Sequence, residues 1–168
     1  MLTKEKGAVI MKAKILILTL LGILLFSATA MAAKPIIRAD KQHFDIHTGL
    51  YMLNGNVYLE VKNRIITAGQ AKVSIASFEV WGSGGITVTQ GDIYFTGDSI
   101  YVHGTSDQAT IEGNINFSRT NIKITADRVD YNWRDKNAVF NGNVQITQDD
   151  NSFSADSLKY NLETNTIL

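Results

Sequence analysis

Cysteine is absent from the 168-residue chain, and proline occurs once, at Pro35. Without thiols there is no disulfide framework, no thiolate metal site, no cysteine nucleophile and no cysteine to carry a lipid anchor. An excess of either charge is also missing. Lys and Arg together number 16, as do Asp and Glu, which leaves no global basic field for nucleic acid. The sequence contains no G-x-S-x-G, no H-E-x-x-H and no phosphate-binding loop, and it offers no candidate pair of glycosidase carboxylates. Catalysis finds no support, and neither a cofactor nor a bound metal is expected. The chain is instead rich in Ile, Val, Thr, Asn, Gly and aromatics, which suit half-buried strands and tight turns better than helices.

The first 33 residues read as an address rather than as fold. Lys12 and Lys14 precede an apolar run over residues 15–26, and small residues follow, ending in Ala30-Met31-Ala32. A short basic region, a greasy core of about 12 residues and an A-x-A site make a cleavable secretory signal. The run is shorter than the roughly 20 residues of a spanning helix. Met11 offers an alternative start. Cleavage leaves a mildly acidic, exported domain over residues 34–168. Retention of the same segment would instead tether that domain to the inner membrane.

That domain is built on a 29-residue period. Asp40, Gly69, Asp98, Asp127 and Asp156 are each 29 residues apart, in cognate segments such as Ile124-Thr125-Ala126-Asp127 and Phe153-Ser154-Ala155-Asp156. A second landmark keeps the step: Gly55-Asn56-Val57, Gly84-Gly85-Ile86, Gly113-Asn114-Ile115 and Gly142-Asn143-Val144. Four full copies and part of a fifth hold register with no insertion, which marks a repeat architecture. The leucine-rich pattern that shares this period is missing. Within each copy apolar and polar residues alternate, the signature of strands with one face buried.

The inward columns form four sets. One is Ile37, Ile66, Phe95, Ile124 and Phe153, and another is Phe44, Val73, Val102 and Tyr131. The others are Val57, Ile86, Ile115 and Val144, and Leu59, Val88, Phe117 and Ile146. Small residues fall on the same parity at Gly55, Gly84, Gly113 and Gly142, and the alternation shifts phase at Asp127. Both features suit a corner or bulge, with Asp40, Asp98, Asp127 and Asp156 bonding to backbone there. Each copy is then expected to supply about four short strands, two to each of two facing sheets. About four and a half copies stack into an elongated, semi-open antiparallel β-jelly roll with a continuous apolar slot. The last copy stops before its Gly-Asn-Val half, which leaves an edge around Leu162, Ile167 and Leu168 open to another chain.

The pairing of Φ-x-Ala-Asp with Gly-Asn-Val-x-Φ, clearest in Ile124-Thr125-Ala126-Asp127 and Val139 to Val144, resembles the lipopolysaccharide-export bridge proteins (LptA/OstA-like). The resemblance spans essentially residues 37–168 and weakens in the second copy, where Gly69 replaces Asp and Gly85 replaces Asn. It implies a periplasmic protein, without turnover, whose apolar columns shelter the acyl chains of lipopolysaccharide. It further implies head-to-tail homo-oligomers, pairing the C-terminal end with Ile36 and Ile37 of the next copy. The partners it implies are homologous jelly-roll domains of the inner- and outer-membrane export components.

Each of these features also has a plainer reading. The columns alone suit a filled core, or an exported self-assembling β scaffold with no ligand. One Asp per 29 residues is a poor ligand set for calcium, which wants 6–8 oxygens. His43, Asp45 and His47 share an outward face, but the cognates of His43 are Lys72, Tyr101, Asp130 and Lys159, so a solvated position is the better account. Trp81 and Trp133 read equally as surface packing or as partner contacts.

Overall fold

The computed structural model describes residues 36–61, 64–74 and 76–168; the segment read from the sequence as a secretory signal lies outside them. The strands are β1 (Ile36–Arg38), β2 (Lys41–Asp45), β3 (Leu50–Val61), β4 (Arg64–Ser74), β5 (Glu79–Gln90) and β6 (Ile93–His103), followed by a 3-10 turn at Gly104–Ser106. Then come β7 (Gln108–Arg119), β8 (Ile122–Asn132), β9 (Asn137–Gln148), β10 (Asn151–Asn161) and β11 (Thr166–Ile167). All belong to one open antiparallel sheet, ordered β1 and then β3 through β11, with β2 laid on β3 beside β1. Each 29-residue copy therefore makes two long strands rather than four short ones.

The two facing layers expected from the sequence are the two halves of this single sheet. Hydrogen-bond register slips in mid-strand between every adjacent pair from β3 to β10, for example between Glu112 and Ile115 on β7. There, Gly113-Asn114 stands against Asp127, two residues against one, which is a bulge. Both bulge residues are left-handed, with φ of 80° at Gly113 and 49° at Asn114. This is why the column is reserved for Gly followed by Asn or Gly. The corner aspartates bond to asparagine side chains rather than to backbone as the sequence suggested. Asp40, Asp98 and Asp127 accept from the side-chain amides of Asn56, Asn114 and Asn143 at 2.9, 2.8 and 2.7 Å. Asp156, on β10, makes no such bond among the described residues, and the second copy has neither partner.

At these corners the sheet folds over on itself. Phe117 lies near the far end of β7, yet its ring is 5.4 Å from that of Tyr160 and 5.7 Å from that of Phe140, both in the opposite half. At ~3.3 Å per residue along a strand, a flat sheet would hold these rings far apart. Arg119 closes the free side at this end: its guanidinium donates to the carbonyl of Leu162 at 2.7 Å and pairs with Asp92 at 3.1 Å. That bond from Arg119 holds the Asp92 carboxyl below its ordinary pKa.

Candidate functional site

The fold encloses an apolar trough, bounded by the corners on one side and by two rows of hairpin turns on the other. Its cavity is about 450 Å³. The size sequence of the inward columns explains where that space lies. One column reads Leu53, Gly82, Ile111, Phe140, and another Ala71, Ile100, Val129, Leu158. A third runs from Val73 and Val102 to Tyr131 and Tyr160. Beside the last copies' Phe140, Leu158 and Tyr160, the earlier Ala71 and Val73 are smaller, which leaves room next to them. From Phe95 to Tyr160 most of the buried residues form one continuous cluster, whereas among the described residues of the earlier copies the buried side chains form two small groups, around Leu59 with Val73 and around Leu53 with Val57, with Ile86 apart from both. The slot is thus not uniform along its length: Phe117, Phe140 and Tyr160 pack ring against ring at its C-terminal end.

The residues singled out from the sequence divide three ways. Ile37, Val57, Leu59, Ile66, Val73, Ile86, Val88, Phe95, Val102, Phe117 and Tyr131 line the cavity. Ile115, Ile124, Val144 and Ile146 are at most 1% exposed and belong to the filled cluster, packing as core away from the cavity wall. Phe44 and Phe153 are 47% and 45% exposed, because each lies near an end of the sheet, where no further strand covers it in the described structure. Of the residues assigned to the docking edge, Leu162 lines the cavity and Ile167 packs on the main cluster, while Ile36 and Leu168 are exposed.

Several lining residues lie outside the columns assigned to lipid from the sequence: Val129 and Phe140, which alternation in the fourth copy puts on the apolar face, and Leu53, Ala71, Val80, Ile100 and Ile111. The same 29-residue step carried them in three further columns, and following every inward column through the repeat would have found them. Trp133 and Lys136 were harder to see, since both sit in a hairpin turn where no alternation applies. They line the cavity at its open side, and the Lys136 ammonium donates to the Trp133 carbonyl at 2.7 Å.

The outer face is accounted for by local bonding. Asp45 accepts from the His47 amide at 2.9 Å and from the Thr48 hydroxyl at 2.8 Å, which caps the β2–β3 turn and lowers its pKa. Trp81 stacks on Tyr101 at 5.6 Å across neighbouring strands, and the Tyr101 hydroxyl donates to Glu79. Hydrogen bonds from Ser77 and then Tyr101 hold the Glu79 carboxyl below its usual range. Among the described residues no three His, Asp or Glu side chains converge as a metal site.

Comparison with known proteins follows this geometry. Residues 36–166 match the model of the LptA/(LptD N-terminal domain) LPS transport protein family. The chain belongs to that family. It is a family of transport proteins rather than enzymes. Among solved structures the fold is similar to that of LptH, the LptA-homologous periplasmic component of the lipopolysaccharide transport device from Pseudomonas aeruginosa. The TM-score is 0.51 at 13% identity, covering 58% of this chain and 75% of that one, a likeness of fold alone. No curated protein matches the chain.

Proposed function

We propose that this LptA/LptD-like chain is exported to the periplasm and carries lipopolysaccharide by sheltering acyl chains in its trough. The observation that carries this reading is the 450 Å³ of unfilled, almost wholly apolar space inside an otherwise well-packed sheet. Protein interiors normally close such space, since each unfilled contact forfeits dispersion energy. A scaffold with no ligand has no use for Ala71 on the cavity wall where the last copy carries Leu158. The thermodynamic need is large: each methylene withdrawn from water is worth about 0.8 kcal/mol, so a ~12-carbon tail costs on the order of 10 kcal/mol to expose. A photoreactive residue at Phe95, on the cavity wall, is expected to crosslink to lipopolysaccharide in vivo, while the same residue at Trp81 on the outer face is not. Equal labelling at both positions would remove the trough from the pathway.

Stacking of domains into a bridge extends this reading. Large exposed apolar side chains gather at the two ends of the sheet, with Ile36, Phe44 and Ile46 at one and Phe153 and Leu168 at the other. Uncovered strands with exposed apolar residues are templates for further pairing. Phe153→Asp is expected to abolish concentration-dependent self-association in analytical ultracentrifugation. Unchanged sedimentation would show that the C-terminal edge is not used.

A further inference from the structure

The cavity wall is apolar except at a few places, and one of them carries a cation. Lys136 lines the trough at its open side, in the hairpin turn between β8 and β9. Its backbone is left-handed, with φ of 59°, a conformation unfavourable for a lysine. The cognate positions are Gly49, Phe78, Asp107 and Asn165, so the turn itself makes no demand for a basic residue. Among the described residues the ammonium has one hydrogen bond, to the Trp133 carbonyl, and no carboxylate within ion-pair distance. Its sequence neighbour Arg134 is different, being paired with Asp107. Glu163 lines the same stretch of wall, so one anion also faces this space without pairing to Lys136.

Lys136 is only partly exposed, and its ammonium has three donors, of which the Trp133 carbonyl takes one; the other two are free for an anion to replace water at the edge of the apolar wall. We propose that Lys136 is the anchor for an anionic headgroup, a phosphate monoester on an amphiphile whose tail lies in the trough. This rests on the acyl-binding reading above and adds the polar end of the same ligand. Lys136 sits where tail and head must part, with the apolar wall on one side and solvent on the other. Trp133 gives this margin an amphipathic ring, suited to a boundary between grease and water. The ammonium is a flexible point charge, adequate for a phosphate that need not be read in fixed orientation. Glu163 opposes the same anion and so sets an upper bound on how tightly it is held.

The test uses the mature protein with three probes: dodecyl phosphate, the uncharged dodecyl maltoside and inorganic phosphate, each below any micelle-forming concentration, followed by calorimetry. Lys136→Met keeps the apolar stem and removes the charge, and circular dichroism confirms that it folds. It is expected to weaken dodecyl phosphate by about tenfold, the loss of one charge-assisted hydrogen bond, with dodecyl maltoside unchanged. Glu163→Gln is expected to tighten dodecyl phosphate several-fold and to leave the maltoside alone. Inorganic phosphate is expected not to bind. Both amphiphiles binding with no effect of either variant overturns the anchor while sparing the trough. Binding of neither amphiphile overturns both readings. Lys136-dependent capture of inorganic phosphate as tight as that of dodecyl phosphate overturns the lipid assignment in favour of a free-anion site.

Discussion

Val88→Trp is expected to leave the protein folded and to cost at least about tenfold in affinity for an acyl ligand, since excluding even two methylenes from the trough loses ~1.6 kcal/mol. Val88 is only partly buried and faces the cavity, so an indole there grows into empty space. Its repeat cognate gives the contrast. Ile146 occupies the same column two copies later, 1% exposed and paired with Ile124 in the filled cluster. The same substitution at Ile146 has nowhere to go and should destabilise the fold by about 1–3 kcal/mol or more. Thermal melts with titration of dodecyl maltoside separate the two effects. If Val88→Trp melts as early as Ile146→Trp, the cavity closes in solution and the division of the interior into trough and core is wrong.

The corners are expected to be the least forgiving positions in the chain. At Gly113 φ is 80°, and an added Cβ would lie 2.8 Å from Asp98 Cγ, against a carboxylate already held by Asn114. Gly113→Val therefore combines a left-handed β-branched residue with the loss of a corner bond. We expect it to destabilise by about 3–5 kcal/mol, on the order of 10–20 °C in melting temperature. Gly85 provides the internal control. It too is left-handed, at φ 84°, but an added Cβ meets nothing within 4 Å, and its cognates are Asn56, Asn114 and Asn143. Gly85→Asn should be neutral or slightly stabilising, because it restricts the unfolded chain more than it strains the folded one. Equal losses from the two variants would mean that the corner tolerates no side chain for reasons other than the Asp98 contact.

The repeat made most of this fold legible before any coordinates. A fixed period with a small residue in each copy, and an aspartate in all but the second, places every corner, and alternation between corners assigns each side chain to a face. What alternation does not encode is connectivity between the halves. Strands that run straight through a bulge and strands that break there share the same apolar pattern, so four short strands per copy and two long bent ones looked alike. The candidate site was legible by face but not by depth. Ile66 and Ile124 are equivalent in the repeat, yet one lines the cavity and the other is fully packed. Ile124 belongs to the continuous cluster with Phe140, Leu158 and Tyr160, which Ile66 does not reach. Lys136 lay beyond the reach of periodicity altogether, because a turn carries no face.

The step from Val73 and Val102 to Tyr131 and Tyr160 makes the two ends of the interior unlike. If the trough carries acyl chains as proposed, such a difference lets the volumes of ordinary hydrophobic residues alone decide which end admits a chain more easily.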